Sequence, residues 1–75
     1  MSINNSQEIL KIYQTQLILA IKEAQGYNVK IPEKELKTLN REILAALPEI
    51  HQNSELWQPA NNFFTQVKNI NQSFR

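Results

Sequence analysis

Seventy-five residues with eight Lys/Arg, seven Glu, no Asp and no Cys make one small domain with a net charge of +1. The missing cysteine removes disulfide staples and thiolate metal sites, and the single histidine rules out a histidine-rich site within one chain. The balanced charge gives no electrostatic reason to expect nucleic acid or an anionic membrane as partner.

A chain this short buries only about 60% of the surface its unfolded form exposes, so it depends on regular packing or on association. The opening Met1–Glu8 is polar and lacks the basic-then-apolar order of a signal peptide. The longest apolar run, Leu17–Ile21, is far below the ~20 residues that span a bilayer. The expectation is a cytoplasmic protein without a membrane span. Nine Asn and eight Gln are spread along the chain rather than clustered, which argues against a prion-like tract.

The first predicted helix covers about residues 5–25. Asn5 and Glu8 have the spacing of a capping box, and residues 1–4 are expected to fray. Leu10, Tyr13, Leu17, Ile21 and Ala24 recur at three and four and share one face. Ile12 and Leu19, seven apart, lie almost opposite, with Ile18 between the two stripes. A helix apolar on more than one side needs covering on more than one side, which makes this the central element. Gly26, the only glycine, comes directly after the last periodic residue, where a left-handed C′ position is expected, with Tyr27 packing back on Ile21.

Pro32 suits the first turn of a second helix, about 32–47, and Glu33 and Glu35 complement its dipole. Leu36, Leu39, Ile43 and Leu47 mark its apolar face, widened by Ala46, and Pro48 ends it. A connector with room for one helical turn leads to a short turn near 54–58, with Ser54 as its candidate cap. The third helix, about 59–73, carries Pro59 in its first turn. Leu56, Ala60, Phe63, Val67, Ile70 and Phe74 form its near-heptad seam. Its outer side, Asn61, Asn62, Thr65, Gln66, Asn69 and Gln72, is uncharged apart from Lys68. The fold class is all-α: a small three-helix bundle, the first two helices an antiparallel hairpin and the third packed across them.

Candidate chemistry is sparse. His51 with Glu49 and Glu55 provides too few ligands, around a proline-bounded connector, to predict a metal site. Glu33 and Glu35 are two apart and point to different sides, and no glycine-rich loop exists to cradle a phosphate. No catalytic, cofactor-binding or metal-binding residue is assigned, so enzymatic activity is not expected. Lys34, Lys37 and Arg41 form a basic stripe on the second helix and are the nucleic-acid candidates. Glu33, Glu35 and Glu42 border that stripe, Glu33 and Lys37 form an ordinary i,i+4 pair, and phosphate binding needs more positive charge. Membrane attachment through the first helix is disfavoured because Glu8 and Glu23 accompany Lys11 and Lys22 on its polar positions.

Ile12, Ile18 and Leu19 carry the more informative signal. Either the later helices cover them as core, or they are left over for a second copy or another protein. Phe63 and Phe64 read as core anchors; Trp57, beside a proline at a helix start, is the aromatic candidate for an interface. The expected function is a non-enzymatic protein–protein interaction module, an adaptor, assembly factor or regulator, self-associating or bound to a larger partner. The alternative is a small nucleic-acid-binding regulator using the basic stripe.

Overall fold

The computed structural model describes residues 5–74, with side chains from residue 6 onward. The capping box drawn from Asn5 and the fraying of residues 1–4 lie outside what it describes. All regular structure among the described residues is helical: α1 (Asn5–Gly26), α2 (Glu33–Ala45), α3 (Pro48–Gln52), a 3₁₀ turn (Ser54–Leu56) and α4 (Trp57–Ser73). None of these helices is long and apolar enough to cross a membrane.

α1 packs against each of the other three helices. Its Tyr13, Leu17 and Ile21 are buried with Leu36 of α2, Ile50 of α3, Leu56 of the turn, and Ala60 and Val67 of α4. These side chains form one cluster, and each large aliphatic in it contributes about 1.5–3 kcal/mol relative to staying exposed. The α1 face predicted from its period of three and four is the face that is buried. Tyr13 anchors the centre. Its hydroxyl donates to Asn40 Oδ1 at 2.7 Å and lies 3.3 Å from the Ala60 carbonyl. Its ring meets Phe63 edge-on at a centroid distance of 6.3 Å. Burial pushes the Tyr13 phenol up to about 12, because ionising it there would strand a phenolate in apolar surroundings.

Several local expectations change. The left-handed residue after α1 is Asn28 at φ 58, not Gly26, which is the last helical residue. Asn28 N–H bonds the Gln25 carbonyl and Val29 N–H the Ala24 carbonyl, both at 3.0 Å. Those two bonds are the Schellman pattern with Asn28 at C′, and asparagine tolerates that backbone better than most residues. Tyr27 is therefore exposed rather than packed on Ile21.

Helix α2 ends earlier than expected because Leu47, at φ −124 and ψ 67, has already left the helical conformation ahead of Pro48. Ala46, expected on the apolar face, is exposed. The connector is itself a five-residue helix with Pro48 in its first turn. Asn53, not Ser54, caps the 3₁₀ turn: its Oδ1 accepts from Glu55 N–H at 3.0 Å. Its Nδ2 donates to Ser6 Oγ at 2.8 Å, tying the connector to the start of α1. Helix α4 begins at Trp57, two residues before the expected proline start. Pro59 is then its third residue, where an amide has no intrahelical partner to lose.

At the far end of α4 the seam drifts. Ile70 is exposed and Asn71 is buried, because an α-helix advances 3.6 residues per turn and outruns a strict seven-residue repeat.

Candidate functional site

The two apolar stripes of α1 differ sharply in burial. Leu17 is 0% exposed, whereas Leu19, two residues on, is 55% exposed and Ile12 is 49% exposed. Ile12 borders a groove of about 300 Å³ between α1 and α2, lined also by Gln16, Leu39, Glu42, Ile43, Ala46 and Leu47. Leu19 lies two turns along α1 from Ile12 on the same stripe. Ile18 belongs elsewhere. It is 40% exposed and lines a second groove of about 220 Å³ between α1 and α4, with Ile21, Lys22, Gln25, Val67 and Ile70. The three aliphatics that the sequence groups together thus fall on two separate surfaces.

Ile70, expected in the core seam, instead lies in a groove. It is 54% exposed beside Ile18. Counting in true helical turns from Val67 puts position 71, not 70, on the buried side.

Trp57 lies apart from both grooves. Its indole N–H donates to the Ile50 carbonyl at 2.9 Å while half of the residue stays exposed, in a concavity shared with Leu44, His51, Ala60 and Asn61. Next to it, Lys37 and Arg41 line a wide concavity of about 470 Å³ with Asn40, His51, Asn61 and Phe64. Lys34 is not among the residues lining it. Lys37 pairs with Glu33 at 3.3 Å, the i,i+4 bridge expected, and Glu33 also accepts from Gln72 at 3.1 Å. The proximity of His51, Asn61 and Phe64 to the basic stripe has no signal in the sequence, because the α3 connector brings it about.

No known protein family matches the chain, and no curated protein or solved structure resembles it significantly.

Proposed function

We propose that the chain is a non-enzymatic protein–protein interaction module, an adaptor, assembly factor or regulator acting in the cytoplasm by docking onto protein. The observation that carries this reading is the half-exposure of Ile12 and Leu19 on the far side of the most central helix. Ile12 lines an apolar groove and Leu19 lies two turns along the same stripe, and large aliphatics exposed in this way favour burial by another chain. The absence of enzymatic work is part of the same reading.

The scaffold we propose is an antiparallel α1–α2 hairpin with α4 laid across it. The Tyr13–Asn40 bond and the groove shared by Ile12 with Leu39–Leu47 support the hairpin. A photo-crosslinking amino acid at position 12 or 19, in the native host, tests the function. A discrete adduct at those positions and none from the exposed position 65 is the expected result. No adduct from either position sinks the reading.

A second reading, nucleic-acid binding, is favoured by the concavity that joins Lys37 and Arg41 to His51, Asn61 and Phe64. Such a cluster offers cations for phosphate and an aromatic edge for a base. Polarisation titration with single-stranded oligonucleotide at low salt decides it: binding lost on Arg41→Glu supports this reading, and no binding at micromolar protein ends it.

A further inference from the structure

We infer that the depression between α2, α3 and α4 binds a single nucleoside monophosphate, its phosphate at Arg41 and its base at Trp57. This occupant is independent of the protein-docking reading. It shares a surface with the nucleic-acid reading but replaces the strand by one nucleotide.

The depression is continuous. A lobe of about 470 Å³ holds Arg41, Asn40 and Phe64, and a lobe of about 230 Å³ holds Trp57. Leu44, His51 and Asn61 line both. Along α4, Trp57 and Phe64 are separated by about 10 Å at 1.5 Å per residue, a span that a base and its own phosphate can bridge.

The larger lobe offers donors. Asn40 Oδ1 is engaged by the Tyr13 hydroxyl at 2.7 Å, which leaves Nδ2 as the remaining end of that amide. The ion pair among the described residues is Lys37–Glu33, so no carboxylate lies within 4 Å of the Arg41 guanidinium. The residues three and four away from Arg41 are Lys37, Thr38, Leu44 and Ala45, none of them acidic. Glu42, next in sequence, lines the α1–α2 groove instead. No glutamate lines either lobe. Lys37 is shared with Glu33, so Arg41 carries the charge of the site, with Asn40 and His51 as further donors. A phosphate, with several acceptor oxygens and a planar fork to meet, matches that set.

The smaller lobe offers a ring. The indole N–H of Trp57 is committed to the Ile50 carbonyl at 2.9 Å, which fixes the ring and leaves its half-exposed surface for stacking. Every base has a π-face, so stacking here accepts any base. The extent of positive charge sets the number of nucleotides. A strand needs cations at successive phosphates, whereas Lys34 and Lys68, the neighbouring cations of α2 and α4, line neither lobe.

Adenosine monophosphate, adenosine and inorganic phosphate, each titrated into the isotope-labelled full chain at low salt, test this by NMR. The single tryptophan gives one indole N–H signal, and the Arg41 side-chain signal is assigned by its loss in Arg41→Gln. Adenosine monophosphate is expected to shift both signals together, with Kd below about 1 mM, and to bind at least about tenfold more tightly than either fragment. Arg41→Gln reduces its affinity to that of adenosine, Trp57→Leu reduces it further than Trp57→Phe, and Lys11→Gln leaves it unchanged. No saturable shift up to about 5 mM, equal binding of nucleotide and adenosine, or an affinity untouched by Arg41→Gln overturns the inference. Hexa-adenylate separates the two readings of this surface. Binding more than about tenfold tighter than the mononucleotide, beyond the statistical gain of its repeated units, overturns the inference and supports the strand. A smaller difference ends the strand reading and leaves the mononucleotide site standing.

Discussion

The side-chain amide of Asn71 pairs with both backbone groups of Ile31. Its Oδ1 accepts the Ile31 N–H at 3.0 Å, and its Nδ2 donates to the Ile31 carbonyl at 2.7 Å. This holds the α1–α2 loop against the end of α4 in the manner of one rung of a β-ladder. Asn71 is only 4% exposed, so truncation to alanine leaves two backbone groups without their partner. Asn71→Ala should cost about 2–3 kcal/mol in urea denaturation monitored by circular dichroism. Asn71→Asp keeps the acceptor but turns an oxygen toward the Ile31 carbonyl. Its loss should be larger at neutral pH than at a pH where the new carboxyl is protonated.

Gly26 and Asn28 make opposite predictions. Gly26 is helical without a positive φ, and a Cβ built there meets nothing within 4 Å. Gly26→Ala should therefore stabilise by about 0.5–1 kcal/mol. Asn28 holds φ 58, where a β-branched side chain clashes with its own backbone. Asn28→Val should destabilise by about 1–2 kcal/mol, whereas Asn28→Gly should be neutral or slightly stabilising. Thermal melts of the three variants check the order.

Tyr13 makes stability fall at alkaline pH. Its phenol ionises at about 12 in the folded chain against 10.0 for an unhindered tyrosine. Between those values the unfolded state holds fewer protons, so the stabilisation is full below pH 10 and declines as pH rises through 12. The amount at stake is about 2–3 kcal/mol. Tyr13→Phe should be less stable at pH 7 by about 1–2 kcal/mol, through the unpaired Asn40, and should lose this alkaline slope. Denaturation midpoints at pH 7, 9 and above about 10.5 measure it.

Leu17 and Leu19 separate folding from docking. Leu17→Ala should cost about 2–5 kcal/mol, since its side chain is enclosed by the core cluster. Leu19→Ala should change the stability of the isolated chain by less than about 0.5 kcal/mol. A large stability loss at Leu19 would mean that the residue is packed, and the docking reading of that stripe would go with it.

The fold is legible in the sequence wherever local periodicity decides the outcome. Tyr13, Leu17 and Ile21 are buried because their spacing matches the helix, and Leu36 obeys the same logic on α2. The spacing of Ile12 and Leu19 identifies a second stripe but not its fate, because coverage depends on where α2 and α4 come to lie. A seven-residue repeat applied to a straight helix misplaces Ile70, and Asn71 takes its place because an amide can satisfy the loop at Ile31. Residue type alone points to Gly26 for the left-handed position, although α1 continues through it.

Trp57 gives the chain an optical consequence of its own. It is the single tryptophan, its indole N–H is held by Ile50 of α3, and its ring stands half in water at the first turn of α4. Undocking of α3 would free that N–H and wet the rest of the ring while the long helices stayed wound. The emission colour of this one residue therefore watches a single joint of the molecule, and a red shift that precedes the loss of helical ellipticity would mark α3 as the first piece to come away.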